Sequence, residues 1–171
     1  MNLINQPKEG DYPAFYATYL NLTSGNDYEK QITVQNEALI KYFHDKGPEW
    51  SEKAYAEGKW TPKEVLGHII DTERIMTFRA LCFARGEKAS LPGFDQDPYV
   101  LNARFGEVPT ELLLKDFVAQ RKALLTMMKI LPESSLDHVG HANGNPITPR
   151  ALFWIIPGHL THHLRVLNEL Y

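Results

Sequence analysis

The sequence contains very little cysteine, since Cys82 is the only one among 171 residues. A single thiol cannot form a disulfide within the chain, so the fold does not depend on an oxidising compartment. The amino terminus has neither the basic segment nor the apolar segment of a secretory signal, and no window reaches about 18 consecutive apolar residues. We therefore expect a cytoplasmic protein that does not span a membrane.

The sequence has no excess of basic charge either. Its 18 lysine and arginine residues are balanced by 21 aspartate and glutamate residues, giving a formal net charge of −3. Without a run of basic residues that could follow a phosphate backbone, we expect no binding to nucleic acid. A hydrophobic share of 43% and a charged share of 23% are typical of a soluble globular protein, and the length suits a single domain over residues 1–171.

Segments that alternate apolar and polar residues with β-branched enrichment are missing, and we therefore predict no β-sheet. After an irregular lead-in over the first twelve residues, a short aromatic-rich helix is expected at residues 13–20, where its side chains would serve packing. Four long stretches have helical spacing, at residues 27–44, 61–85, 110–130 and 148–171. The sequence thus predicts an all-α protein, an up-and-down four-helix bundle with a short extra helix at its amino terminus.

Two of the long helices have strong start signals. Thr61 precedes Pro62 and is followed three residues later by Glu64, the pattern of a capping box with proline at the first helical position. Thr148 and Pro149 repeat the combination of a capping residue and proline at the start of the last helix. These signals define where the two helices begin.

Three longer connections separate the helices, at residues 49–59, 89–106 and 133–147, and we predict them to be loops. The middle one is too long for a simple turn, and connections of more than about a dozen residues often cover a functional site. We expect it to be the long crossover of the bundle and to shape a pocket. His138 and His141 lie in the last loop, where we expect them to be exposed to solvent.

His159 and His163 form the most informative pair in the sequence. An α-helix advances about 100° per residue, so these side chains point the same way, one turn apart. Four apolar residues share their side of the helical wheel, which turns the pair toward the core: Leu152, Ile156, Val166 and Leu170. Two imidazoles in this arrangement can bind one metal ion, although packed or solvated histidines without a ligand role give the same pattern.

His68 is the candidate for a third ligand, because side chains from facing helices of a bundle can converge on one core site. Three imidazoles without a fourth protein ligand leave coordination positions open for water or substrate. Zn, Ni, Fe and Mn suit such a site to different degrees, so the sequence does not identify the divalent metal.

Asp71 best shares the face of His68 among the nearest carboxylates, which are Glu64, Asp71 and Glu73. It is a candidate to orient that histidine or to act as a base, the alternative being a solvated carboxylate.

Three ordered motifs resemble those of a known family. They read WTPKEVLGHIIDTER at residues 60–74, LPGFDQD at residues 91–97 and GHLTHHL at residues 158–164. Together they resemble the DinB-like superfamily of metal-binding four-helix-bundle proteins, and the similarity extends over roughly residues 12–171.

The resemblance implies a bundle with a long crossover, frequently assembled as a homodimer. It also implies a divalent metal held by His68, His159 and His163, whereas His162 matches a neighbouring histidine that the family does not use as a ligand. Pro157 departs from the family pattern, which more often has a small helix former there. Proline within a helix predicts a kink just before His159.

The function implied by the resemblance is enzymatic. Relatives are thiol S-transferases or isomerases that bind a low-molecular-weight thiol, or have been described as metal-dependent hydrolases. On this hypothesis the metal activates a thiol or a water for transfer to, or hydrolysis of, a small electrophilic substrate. The alternative is a non-catalytic metal-binding protein with a structural or stress-related role, in which the ion mainly stabilises the fold.

Overall fold

Four long helices dominate the structure, a computed structural model that describes residues 4–171. The first three residues of the predicted lead-in lie outside the described residues. In chain order the helices are α1 (Ala17–Leu20), α2 (Tyr28–Lys46), α3 (Pro48–Ser51), α4 (Pro62–Ala84), α5 (Gln96–Ala103), α6 (Thr110–Ile130) and α7 (Pro149–Leu170). Two strands, β1 (Gly140–Ala142) and β2 (Asn145–Ile147), precede α7. Short 3₁₀ helices lie at Ala14–Tyr16, Phe105–Glu107 and Glu133–Asp137.

The helices α2, α4, α6 and α7 form the predicted four-helix bundle. Helix α4 packs most extensively against α7 and also against α6, while α2 packs against the same two helices. Helices α2 and α4 therefore lie at opposite corners of the bundle, and the connection from α4 to α6 is the long crossover that contains α5. No helix within residues 4–171 has the length and apolar character needed to cross a membrane.

The predicted start signals of α4 and α7 are confirmed. The Thr61 hydroxyl accepts a hydrogen bond from the Glu64 amide at 3.2 Å, and the Glu64 carboxylate accepts one from the Thr61 amide at 2.7 Å. This reciprocal pair is a complete capping box. At the start of α7, the Thr148 hydroxyl accepts from the Ala151 amide at 3.2 Å. Both caps fix the first turn of a helix that carries a candidate ligand.

The prediction that the chain contains no sheet is wrong at β1 and β2, which form a small antiparallel hairpin. The two strands have three residues each, too few for an alternating pattern to be visible in the sequence. The local signal is the two-residue turn Asn143-Gly144, in which both residues have positive φ angles, of 51° and 74°. Such a turn matches the twist of a hairpin and favours this dipeptide.

The predicted loops also contain short helices. Helix α3 overlaps the first of them, and α5 lies within the crossover, where Asp95 caps it by accepting from the Asp97 amide at 3.2 Å. Helices of four and eight residues are too short to show an apolar stripe, which is why periodicity did not predict them. The start of the crossover is held by the hairpin, because the Leu91 amide donates to the His141 carbonyl at 2.9 Å.

Pro157 lies inside α7, and the helix continues through it to Leu170. Because proline has no amide hydrogen, the Phe153 carbonyl one turn earlier lacks its helical donor. The hydroxyl of Tyr28, a completely buried residue of α2, donates to that carbonyl at 2.9 Å. The lost backbone bond is thus replaced from the neighbouring helix, and the kink at Pro157 stays a prediction.

Candidate metal centre

Three histidines converge where α4 meets α7. His68 comes from α4, whereas His159 and His163 come from successive turns of α7. The Nε2 atom of His159 lies 3.1 Å from that of His68 and 3.0 Å from that of His163. Each of the three residues offers a ring nitrogen within 4.8 Å of the other two. The structure therefore brings together the three side chains that the sequence singled out.

This arrangement suits a cation better than hydrogen bonding alone. The His159 Nε2 atom faces two other ring nitrogens, yet a single imidazole nitrogen either donates one hydrogen or accepts. Around a tetrahedral ion with metal–nitrogen bonds of about 2.0–2.1 Å, ligand nitrogens lie about 3.3 Å apart. The observed separations of 3.0 and 3.1 Å are close to that value. The three imidazoles thus fit a divalent metal with open coordination positions.

Burial keeps these imidazoles uncharged. It lowers the pKa of His68 to about 4 and that of His163 to about 3, with neighbouring histidine charges adding to the effect. The pKa of His159 is also well below its ordinary value, again chiefly through burial. A neutral imidazole presents the free lone pair that metal binding requires.

The apolar side of α7 is buried around the histidine pair but not along its whole length. Leu152 and Ile156 are buried and Val166 is half-buried, as the helical wheel predicted. Leu170, however, is 51% exposed, because it lies in the last turn of α7. The prediction of a core-facing position is wrong for this residue.

Aromatic side chains surround the histidines, among them one from the short helix that the sequence interpretation assigned only to packing. The Trp60 ring lies 5.0 Å from that of His68, and the Tyr19 ring lies edge-on 5.3 Å from that of His159. Tyr19 also contacts His162, with ring centres 5.5 Å apart. Tyr19 belongs to the short α1, so its position next to a helix 140 residues later in the chain left no local signal.

Two cavities open onto the histidines. One of about 430 Å³ is lined by His68 and His159 together with Tyr16, Tyr19, Thr72, Met76, Phe94, Asp95, Gln96 and Ile155. The other, of about 340 Å³, contains His163 and His162. Gln96 lines both cavities, so the crossover contributes to the walls of each, and its predicted role in shaping a pocket is confirmed. A larger cavity of about 520 Å³ lies at the Lys63 end of the bundle and contains none of the three histidines.

Asp71 stays a predicted participant. Its carboxyl group is half-buried, and burial raises its pKa while the charge of Arg74 opposes the shift. Among the hydrogen bonds of residues 4–171, the partner of the His68 Nδ1 atom is the Thr72 hydroxyl, at 3.5 Å. Thr72 is therefore the residue that contacts the outer nitrogen of this histidine.

Three other histidines and the single cysteine lie outside the cluster of converging nitrogens. His44 contacts Glu111 at 3.0 Å near the end of α2, and His141 is exposed on β1. His138 is exposed, and its Nδ1 atom lies 3.3 Å from the Phe83 carbonyl. Cys82 packs against the apolar core.

A buried polar network holds the part of α7 that carries His159. Gln35, on α2, donates from Nε2 to the Pro157 carbonyl at 2.9 Å and to the Thr161 hydroxyl at 3.0 Å. Its Oε1 atom accepts from Arg121, on α6, at 3.2 Å. The network therefore fixes the backbone and side chains on both sides of His159.

Arg121 is completely buried and forms an ion pair with Glu73, on α4. Its Nε atom lies 3.0 Å from each carboxylate oxygen, and its guanidinium carbon lies 4.5 Å from the centre of the Phe117 ring. Burial raises the pKa of Glu73, and the neighbouring guanidinium opposes that shift. All four long helices thus contribute to one polar network in the core.

Replacing Gly158 with alanine should destabilise the protein by about 1–3 kcal/mol, the usual effect of overpacking. The added Cβ would lie 2.2 Å from the backbone oxygen of Tyr19, so α1 would have to move away from α7. Urea unfolding measures the effect, with Gly106→Ala as the control because a Cβ there meets nothing within 4 Å. Equal stability of the two variants would show that α1 is not tightly packed on α7.

Known proteins resemble the chain in sequence and in fold. The model of the DinB superfamily matches residues 31–167. A putative metal-dependent hydrolase of Oceanobacillus iheyensis is 25% identical over 141 residues, which cover 81% of this chain and 80% of that protein. YfiT from Bacillus subtilis, described as a probable metal-dependent hydrolase with an unusual four-helix bundle topology, matches with a TM-score of 0.70 and 13% identity, over 99% of this chain and 96% of its own. The likeness to YfiT confirms the predicted fold.

Proposed function

The chain belongs to the DinB superfamily, and on that premise we propose that it is a metal-dependent hydrolase of a small electrophilic substrate. The observation that carries the proposal is the convergence of His68, His159 and His163 beside open cavities. A relative of similar length is named a putative metal-dependent hydrolase, which favours water over a thiol as the nucleophile.

The three histidines would hold one divalent ion through their ring nitrogens. Such an ion supplies Lewis acidity, which lowers the pKa of a bound water toward about 7 and polarises a carbonyl oxygen. The imidazoles stay neutral because burial lowers their pKa values, and the Thr72 hydroxyl contacts the outer nitrogen of His68. Zn, Ni, Fe and Mn are all compatible with this donor set.

The surrounding side chains would position the substrate and restrict water. The ring of Trp60 packs near that of His68 and the ring of Tyr19 near that of His159, and the histidines are reached through the two cavities. Asp71, three positions after His68 on α4, is our candidate base, and burial raises the pKa of its half-buried carboxyl.

The proposal is tested by assaying purified protein against a panel of small esters and amides without any thiol. We expect hydrolysis that disappears after chelation and returns when one of the four metals is added. The Asp71→Asn variant should keep its metal content and lose rate by about 10²–10⁴-fold, the usual contribution of a general base. An unchanged rate in this variant would exclude Asp71 as the base.

Two results would contradict hydrolysis. Conjugation of an electrophile that requires both the metal and a low-molecular-weight thiol, with no cleavage in its absence, would establish thiol transfer instead. A protein that binds metal and melts at much lower temperature after chelation, yet turns over neither class of substrate, would match the non-catalytic alternative.

A further inference from the structure

Arg79 is a buried cation on the face of α4 that carries His68. The two residues are eleven positions apart, close to three helical turns, and Thr72 and Met76 lie between them on the same side. Arg79 is only 4% exposed, and none of the ion pairs within residues 4–171 includes it. Arginine side chains are rarely this buried without a negative partner, because removing an unpaired charge from water is costly.

The contacts of the Arg79 guanidinium within residues 4–171 are with neutral groups. Its Nη2 atom donates to the Pro92 carbonyl at 2.6 Å, and its guanidinium carbon lies 5.8 Å from the centre of the Phe94 ring. It also faces the Tyr16 hydroxyl, and each of these two groups shifts the pKa of the other. None of these contacts neutralises the positive charge.

The uncompensated charge lies at the wall of the cavity that reaches the metal centre. Tyr16, Met76 and Phe94 contact or neighbour Arg79, and all three line the cavity of about 430 Å³ that also contains His68 and His159. A cavity of this size holds a small organic molecule. Its two ends therefore differ, with imidazole nitrogens at one and a guanidinium behind a phenol at the other.

We propose that Arg79 and Tyr16 bind the negatively charged group of the substrate, a carboxylate or a phosphate, while the scissile group lies at His68, His159 and His163. The inference rests on the proposed function for the identity of the molecule as substrate. Tyr16 lines the cavity, so its hydroxyl would donate the hydrogen bond, and the neighbouring guanidinium would supply the charge. Burial raises the pKa of Tyr16, which keeps its hydroxyl protonated as a donor.

Tyr16, not Arg79, supplies the direct contact with the substrate. His68 and Arg79 are eleven residues apart, about 16 Å along the helix, and both side chains lean toward the amino terminus. The guanidinium therefore acts through the phenol that lines the cavity. Asp95 also lines the cavity, but it is exposed and its carboxylate caps α5.

The experiment compares 4-nitrophenyl butyrate with the mono-4-nitrophenyl ester of succinate, which has a carboxylate in place of the terminal methyl. In the metal-loaded Arg79→Gln and Tyr16→Phe variants, kcat/KM for the succinate ester should fall by about 10- to 100-fold, the usual value of a hydrogen bond to a charged group. In the same variants, kcat/KM for the butyrate ester should change by less than twofold. Arg165→Gln, at an exposed position of α7, is the control and should leave kcat/KM for both esters unchanged.

A second measurement separates this inference from the proposed hydrolysis. Calorimetric titration of succinate or inorganic phosphate into the full-length chain, both metal-loaded and after chelation, should show saturable binding that Arg79→Gln abolishes. If the parent cleaves neither ester but binds the anions through Arg79, hydrolysis is wrong and the anion site stands. The inference is overturned if kcat/KM falls equally for both esters in Arg79→Gln, or if the anions do not bind. Arg79 would then only support the crossover through its hydrogen bond to the Pro92 carbonyl.

Discussion

Replacing Arg121 with methionine should lower the free energy of unfolding by about 3–5 kcal/mol, the expected effect of leaving one member of a buried ion pair without its partner. The pair with Glu73 is almost fully excluded from solvent, at 0% and 4% side-chain exposure. Without the guanidinium the carboxyl group must either keep a buried charge or take up a proton. The Oε1 atom of Gln35 would also lose a donor.

Urea unfolding of three variants isolates the contribution of the pair. The double variant Glu73→Leu with Arg121→Met should recover most of the loss, because an apolar pair of similar volume avoids the desolvation of both charges. Arg74→Met is the matched control. It breaks the ion pair with Asp116 between the same two helices, where both side chains are partly exposed, and should change the stability by less than about 1 kcal/mol. The prediction would be contradicted if Arg121→Met lowered the free energy of unfolding by no more than Arg74→Met does.

The parts of the fold that the sequence predicted depend on neighbours within one or two turns. The capping box at Thr61 and the helical spacing of α6 involve residues three or four positions apart, so both can be seen without knowing the tertiary structure. The polar network could not be predicted in this way. Its hydrogen bonds join residues 48, 86 and 122 positions apart, and each of its members alone is an ordinary polar residue on a helix.

The candidate site also combines features that local sequence patterns predicted with contacts that they could not. The spacing of His159 and His163 placed them on one side of α7, and both approach a single point in the structure. His68 was the candidate third ligand because it lies on a long helix that could face α7, and the resemblance to a known family implied the same residue. That α4 packs on α7 is a property of the whole bundle, which no local pattern shows. Tyr16 and Tyr19 were missed as lining residues of the cavity, and Arg79 as the neighbour of Tyr16, for this reason. These contacts form only after separate helices have assembled.

The His159→Ala and His163→Ala variants should lose nearly all bound metal. The parent is expected to contain close to one divalent ion per chain by elemental analysis after purification without an affinity tag. Outer partners of metal ligands typically contribute 10- to 100-fold to affinity, so removal of a ligand should cost more than about 100-fold. His162→Ala is the matched control, since its ring lies 5.0 Å from that of His163 but outside the cluster of converging nitrogens, and this variant should keep its metal.

The same variants separate the loss of a ligand from the loss of the fold. The metal-free parent and metal-free His163→Ala should melt at similar temperatures, since a neutral imidazole in this half-buried position supports no ion pair. Added metal at 100 times its Kd should stabilise the parent by about 2.7 kcal/mol and leave His163→Ala unchanged, because only a protein with an intact site gains this free energy. Equal stabilisation of both proteins would place the ion elsewhere. Loss of metal in His162→Ala as well would require a fourth histidine in the site.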